Sequence, residues 1–394
     1  MKNKSILILY LVSFVVSLGY SLVLPVMPYY MESFGAGGKE LGWLTAIYAL
    51  MQTICAPFWG ALSDRVGRKP VLSIGMFGYA VSLFLFGLAS SVEALFIARG
   101  LSGILSSASA AAAMAYVGDS VSHEERSRNM GQLGAAMSVG AVIGPAIGGT
   151  LASFTITLPF FIGAAISFVA FILILTILPE SLTRLNTSKS IKFSFMLNTL
   201  LGPAKTTLIL IFLSRLCQTG FQSIIGLYLV DKFRLSAQKI GFVWMILAIS
   251  LVLSQGILTG LLAKKLKDSK LIGIGLTGGA IFILAMMLST GFFSAMLILA
   301  MLAVSIALTV PTLNASLSTV GEKNKGTIMG IGTTVGNLSK VVGPLLFGYL
   351  YEVNIELPYA IGGFVFFLAA VICFLSIRKE AQLHSFELPS SEYT

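Results

Sequence analysis

Charged residues are scarce in this sequence. Asp, Glu, Lys and Arg make up 11% of its 394 residues, where a soluble chain carries roughly 25%. That is too little charge to coat a compact body with hydrated surface, so a water-soluble globular fold is excluded. Cysteine is limited to Cys55, Cys217 and Cys373, all inside apolar runs. A disulfide framework is therefore not expected, and the three are read as small buried hydrophobes. The only histidines are His123, in a loop, and His384, in the tail. There is no HExxH, no pair of carboxylates within the apolar runs and no glycine–lysine phosphate loop. Neither an enzyme embedded in a membrane nor ATP-driven transport by this chain is expected on those grounds. No catalytic residue, metal or organic cofactor is called for.

What the sequence has instead is apolar length. Hydrophobic residues reach 56% and mean hydropathy is +0.91. A helix needs about 20 mostly apolar residues to cross a bilayer, and six such runs fall at roughly 6–31, 41–62, 71–89, 94–117, 129–153 and 158–179. Six more fall at roughly 206–230, 240–262, 271–289, 294–318, 327–350 and 358–377. Lys2 and Lys4 before Ile6 to Val23 mimic a signal peptide, but no clear small-residue cleavage site follows, so the segment is read as a first span. An even number of spans puts both termini on one side. Segments on that side hold Arg65, Arg68, Lys69, Arg126, Arg128, Lys264, Lys265, Lys267 and Lys270, among others. The opposite loops keep only Lys39, Lys232, Arg234 and Lys239. The positive-inside rule makes the basic side cytoplasmic. The net charge of +10 is thereby assigned to the membrane surface and not to nucleic acid. The expected location is a bacterial-type cell membrane, with both termini cytoplasmic.

The two sets of six spans echo each other. At an offset of about 199 residues, Leu41-Gly42 matches Ile240-Gly241, Met130-Gly131 matches Met329-Gly330, and Gly144-Pro145 matches Gly343-Pro344. Leu158-Pro159 likewise matches Leu357-Pro358. The longest internal polar stretch, Glu180 to Lys205, separates the halves. The expected organisation is an all-α membrane protein of two pseudo-symmetric six-helix bundles. Residues 1–180 form the first bundle and 206–377 the second; 181–205 are a cytoplasmic loop and 378–394 a cytoplasmic tail. Parallel repeats of this kind place a substrate site between the halves near mid-membrane.

Three motifs carry more specific information. After the second span comes Gly60-Ala61-Leu62-Ser63-Asp64-Arg65-Val66-Gly67-Arg68-Lys69-Pro70. Its glycines permit a tight turn. A merely basic loop would not require Asp64 among the cations. The matching place in the second half, Gly260 to Lys265, has Lys264 where Asp64 would be. The fifth span sets out Gly131, Gly140, Gly144-Pro145 and Gly148-Gly149. Small residues at helical spacing let backbones approach, and the proline loosens the hydrogen-bond ladder. The first span adds Leu18-Gly19 and Pro25-Val26-Met27-Pro28, and the sixth closes on Leu178-Pro179-Glu180-Ser181.

The loop resembles the signature loop of the major facilitator superfamily, and the glycine pattern resembles the antiporter motif of its exporters. The remaining strings are similar to those of its twelve-helix drug:proton antiporter branch. The resemblance implies the major facilitator fold, two six-helix bundles rocking about a central cavity. It implies secondary active export of small amphipathic compounds or drugs by alternating access, in exchange for protons. That is multidrug efflux of a kind associated with antibiotic resistance. The partners are then a small-molecule substrate and the lipid bilayer, and a single copy is the working unit. Gly60, Asp64, Arg65, Gly67, Arg68 and Asp119, which ends the fourth span on the same side, become the gating group. The alternative is an uptake carrier for one neutral or anionic metabolite.

Three cations sit inside spans: Arg99, Arg215 and Lys340. An ionised side chain there is costly and marks a functional candidate. By resemblance Arg99 belongs to a fourth-helix arginine motif with a part in proton coupling; the competing reading is an arginine that snorkels outward. Arg215 shares a helical face with Gln218 and Gln222, a polar stripe suited to line a cavity. Lys340 shares a turn with Asn337 and Ser339, and is either a coupling charge or a packing lysine. No Asp or Glu lies deep in any span, and Gln222 stands about where some relatives place a glutamate. Tyr20, Met27, Met137, Phe221, Trp244 and Met245 are candidates for an adaptable apolar lining. A cavity with net positive charge favours neutral, zwitterionic or anionic substrates.

Overall fold

The computed structural model of the chain describes residues 2–121, 123–181, 204–320 and 325–386. Most of the expected central loop, residues 182–203, and the end of the expected tail, 387–394, lie outside the described residues.

In hydrocarbon every backbone N–H and C=O must be satisfied within the protein, so a long apolar run becomes a helix. Among the described residues, twelve long helices stand where the twelve apolar runs predict them. They are α1 (Lys2–Val23), α2 (Gly38–Val66), α3 (Arg68–Gly87), α4 (Val92–Ser120), α5 (His123–Ala152) and α6 (Leu158–Ile177). The second set is α7 (Lys205–Phe233), α8 (Ala237–Ala263), α9 (Asp268–Leu288), α10 (Phe292–Val320), α11 (Lys325–Val353) and α12 (Leu357–Phe386). Eleven of them contain spans long and apolar enough to cross a membrane. The other, α11, has 29 residues but breaks its apolar run with Thr333, Thr334, Asn337, Ser339 and Lys340.

Two boundaries and one internal turn differ from the sequence reading. The first span is not one helix to residue 31. It turns at Leu24–Val26 and resumes as a short helix, Met27–Glu32. Pro25 has no N–H to donate and restricts the residue before it, and Pro28 suits the first turn of a new helix. The last helix runs past the expected tail boundary at 378 to Phe386, since no glycine or proline follows Gly363 until Pro389. Finally, α8 contains a π-helical turn at Ser254–Leu258.

The internal repeat is visible in packing as well as in sequence. A Cβ on Gly75 would lie 2.5 Å from Ser109 Oγ, so α3 and α4 touch closely there. At an offset of 200 residues, a Cβ on Gly275 would run into Thr309 Oγ1, and α9 meets α10 in the same way. Two compact units emerge from contacts within the chain. The first holds residues 1–190, 222–249 and 340–355; the second holds 191–221, 250–339 and 356–394. This grouping cuts α7, α8 and α11, whereas the six-plus-six division follows the repeat. The core of the first unit gathers Leu9, Val12, Val71, Leu72, Ala108, Tyr116 and Ile174, all nearly or fully buried.

Candidate functional site

The turn between α2 and α3 is built around one buried arginine. Gly67 links the helices at φ 109°, a conformation that favours glycine. Arg68 then points back into the first unit, only 6% exposed. Its Nη1 pairs with Asp64 Oδ1 at 2.5 Å and its Nε with Asp119 Oδ2 at 2.8 Å. Nη1 also donates to Ser63 Oγ at 2.6 Å. The planar guanidinium thus ties the end of α2 to the end of α4, which a lysine's point charge would not do in the same geometry. Glu180, just past α6, accepts from Arg68 N at 2.8 Å and Lys69 N at 3.1 Å. A carboxylate there satisfies the free N–H groups at the start of α3 and complements the helix dipole. A Cβ on Gly67 would collide with that carboxylate. Arg65 is exposed, and Gly60 has open space around it.

The fifth-helix glycines divide into two sets. A Cβ on Gly140 would lie 2.6 Å from Phe14 O, and one on Gly144 2.6 Å from Ser21 Cβ. One on Gly148 would strike Leu22 O, so these three are the contact surface of α5 on α1. Gly149 instead faces Ala237 O at the start of α8. Gly131 meets nothing within 4 Å, and its role as a packing residue finds no neighbour here.

At the ends predicted to be external, the first unit contains a matched pair of contacts. A Cβ on Gly42 of α2 would clash with Pro344 O and approach Gly348 Cα of α11 to 3.2 Å. A Cβ on Gly241 of α8 would clash with Pro145 O and approach Gly149 Cα of α5 to 3.3 Å. The three residue pairs Gly42 and Gly241, Pro145 and Pro344, Gly149 and Gly348 all obey the 199-residue offset. The repeat therefore makes the same glycine-on-carbonyl contact twice. Around one of them, Tyr351 donates to Asp231 Oδ2 at 2.7 Å and Lys39 N to Glu352 Oε1 at 3.2 Å.

Arg99 does not snorkel. It is 5% exposed, with its guanidinium 4.6 Å from the ring centre of Tyr48 and 5.4 Å from that of Tyr20. Stacking of this kind is worth about 2 kcal/mol when desolvated. Ser106 Oγ donates to the Tyr48 hydroxyl at 3.1 Å, and Arg99 Nε has no hydrogen-bond partner. Sequence reading missed Tyr48, because a tyrosine in an apolar helix gives no sign of what it faces.

On α7, Arg215 and Gln222 are half-buried, and Gln218 is buried with Oε1 unpartnered. One turn along, Thr219 Oγ1 donates to Ser339 O at 2.9 Å, fixing α7 against α11. Asn337 and Lys340 are half-buried on α11. Among the proposed lining residues, Phe221 is fully buried, with Tyr359 edge-on to it at 6.1 Å, which makes it a packing residue. Met27 is buried, Met137 exposed and Tyr20 half-buried. Trp244 is buried with its Nε1 unpartnered.

A membrane protein of two repeated helical halves, with glycine contacts at one end and a buried ion cluster at the other, is a membrane transporter in its general plan. A family profile described as Major Facilitator Superfamily matches residues 9–339 and 207–392. The chain belongs to that family. It is 32% identical to Multidrug resistance protein 2 of Bacillus subtilis (strain 168), covering 92% of this chain and 93% of that one. It is 27% identical to Quinolone resistance protein NorA of Staphylococcus aureus, over 97% and 98% of the two chains. It is 29% identical to the class E Tetracycline resistance protein of Escherichia coli, over 90% and 89%. Among solved structures, it is similar to a bacterial homolog of the human lysosomal transporter Spinster, inward-facing and occupied. The TM-score is 0.79 at 15% identity, over 95% of this chain and 96% of that one. A likeness at that identity shows the fold alone.

Proposed function

We propose that the chain exports small amphipathic compounds, including drugs, by alternating access driven by protons entering in exchange. The observation that carries this reading is the pair of repeat-matched contacts, Gly42 on Pro344 and Gly241 on Pro145. Two equivalent, side-chain-free contacts at one end provide a closure that forms and breaks symmetrically as six-helix halves rock. The names of the relatives, multidrug, quinolone and tetracycline resistance proteins, support export of drug-like molecules over uptake of a metabolite. The distribution of lysine and arginine supports a cytoplasmic position for both termini. Asp64, Arg68 and Asp119 then form the cytoplasmic gate.

The substrate class follows from charge. Arg99 lies beside the Tyr20 and Tyr48 rings and Arg215 has no ion pair among the described residues. A permanent monocation would bring like charge into a poorly screening medium. A zwitterion or anion offsets the arginine and bonds to its planar fork, while Gln218 adds a neutral amide. Accumulation of matched cationic, zwitterionic and neutral labelled compounds, in cells with and without the protein, tests direction and class together. Lower accumulation of the zwitterion and neutral compound, partly lost for the zwitterion in Arg215→Gln, is the expected result. Raised accumulation on expression would establish uptake instead.

A further inference from the structure

Arg99 is a buried cation that pairs with no acid among the described residues. It is the eighth residue of the 29-residue α4, about 10 Å from the start of the helix at 1.5 Å per residue. It is 5% exposed, and its Nε is enclosed without a hydrogen-bond partner. Neither ion pair among the described residues includes it. Arg68, buried to the same degree, holds Asp64, Asp119 and Ser63. A charge taken out of water is costly unless another group offsets it. The chain supplies that group to Arg68 and not to Arg99.

The groups around Arg99 belong to helices of the same unit. Its guanidinium carbon lies 4.6 Å from the ring centre of Tyr48 on α2 and 5.4 Å from that of Tyr20 on α1. The two rings are themselves 5.4 Å apart. An aromatic ring attracts a cation through its quadrupole but carries no net negative charge to cancel it. Tyr79 of α3 is also within electrostatic reach. A phenol ionises only near about pH 10, so none of the three offsets the arginine at neutral pH. On α4 itself Glu93 is exposed in the first turn, and Asp119 at the far end is taken by Arg68.

The setting is held from several sides. Gly103 lets α4 close on α2, where an added Cβ would stand 2.6 Å from Tyr48 O. Ser106 Oγ donates to the Tyr48 hydroxyl at 3.1 Å, and Gln52 Nε2 does so at 3.5 Å. One turn beyond Arg99, Ser102 donates to Ser82 Oγ of α3 at 2.9 Å. The arginine is thus positioned by its neighbours and left unsatisfied by them.

We propose that Arg99 anchors a carboxylate of the transported compound. A single fixed cation selects a single negative charge, and the guanidinium fork matches the two oxygens of a planar carboxylate. Tyr20 and Tyr48, both half-buried, offer rings to the aryl or apolar body that carries the acid. The ligand class is an aromatic or amphipathic monocarboxylate, as an anion or a zwitterion. Guanidinium keeps its proton throughout, so the step is binding and release with no bond changed. This inference rests on the reading of the chain as an exporter of amphipathic compounds. It adds the residue and the substrate group that meet.

The test uses the purified full chain in lipid nanodiscs and two fluorescent probes. One is a fluoroquinolone with its amine acetylated, a monoanion; the other is the methyl ester of the same compound, which is neutral. Wild type is expected to bind the acid about tenfold more tightly than the ester, the worth of one charge-assisted hydrogen bond. In Arg99→Gln the acid should fall to the affinity of the ester, whose own binding stays within about twofold of wild type. Arg99→Lys keeps the charge and loses the fork, so its preference should be intermediate. Equal binding of the two probes by wild type overturns the proposal, as does an undiminished preference in Arg99→Gln. If Arg99→Gln is not monodisperse, Arg99→Lys decides, and an undiminished preference there overturns it equally. A preference lost in Arg215→Gln and kept in Arg99→Gln also overturns it, moving the carboxylate to α7. Ester binding that tightens with added chloride in wild type, and not in Arg99→Gln, would make the ligand a free ion and overturn it as well. Raised cellular accumulation of the acid, abolished in Arg99→Gln, would refute export while upholding the carboxylate contact.

Discussion

The two ends of the first unit are held together by different physics. At the predicted cytoplasmic end, a buried guanidinium gathers Asp64, Asp119 and Ser63, while Glu180 covers the start of α3. At the predicted external end, glycines let backbone meet backbone on both sides of a pseudo-twofold pattern. An ion cluster can come apart and be re-solvated by water, and its strength depends on salt. A glycine–carbonyl contact depends on shape alone, since it forms only when no side chain intervenes. The protein therefore has one end that is sensitive to charge and one that is sensitive to volume.

A second asymmetry lies between the repeats. The turn before α3 has its ion cluster, but the equivalent turn before α9 carries Lys264, Lys265 and Lys267, followed by Lys270 in the first turn of α9, all exposed and without an ion pair among the described residues. The repeat conserves the glycine contacts and not the charges. In the proposed reading, gating by charge belongs to the first half.

Substitutions that exchange these two kinds of sensitivity test the comparison. The largest effect is expected for Gly42→Leu or Gly241→Leu. Overpacking against backbone costs the closed external end about 3 kcal/mol, roughly a hundredfold in population. Thiol labelling of cysteines introduced along the α2–α11 contact should show it permanently open, with transport lost and membrane insertion intact. Equal labelling of variant and wild type would show that the glycines are merely tolerated. Asp64→Asn comes next. It removes a charge-assisted bond to a buried arginine, worth about 1–3 kcal/mol, so efflux should fall by about tenfold or more in a well-expressed, folded protein. Wild-type efflux from that variant would remove the ion cluster from the gate.

A smaller effect is expected at the capping carboxylate. Glu180→Gln loses the charge–dipole term at the start of α3, about 0.3–1 kcal/mol, and efflux should drop by no more than a few fold, more visibly at low salt than at high. An effect as large as that of Asp64→Asn would mean Glu180 is part of the gate and not only a cap. The smallest is Lys264→Asn, an exposed site where changes stay within about 0.5 kcal/mol. Efflux should be unchanged there. A loss matching Asp64→Asn would erase the asymmetry between the repeats.

Much of the candidate site was legible from spacing. Gly140, Gly144 and Gly148 recur every four residues on one helical face, and that face is the one pressed on α1. Asp64 and Arg68, four apart across a turn, meet as an ion pair. Glu180 was visible as part of a motif, but its capping of α3 was not, because it stands 111 positions after Lys69. Phe221 and Arg99 mark the limit of the approach. The same apolar neighbourhood in sequence gave no way to tell a packed phenylalanine from a lining one, or a stacked arginine from a snorkelling one.

By itself the sequence determined the number of helices, their order and the repeat. In hydrocarbon a long apolar run satisfies its own backbone only as a helix, and a period of 199 residues is a property of the chain. Only tertiary structure decided which repeated residues touch. Gly42 is matched to Gly241 in sequence, yet in space it meets Pro344 and Gly348, whose own matches, Pro145 and Gly149, meet Gly241. The repeat records equivalence, whereas contact depends on which helices pack, and that is set by side-chain volume and charge summed over the whole fold.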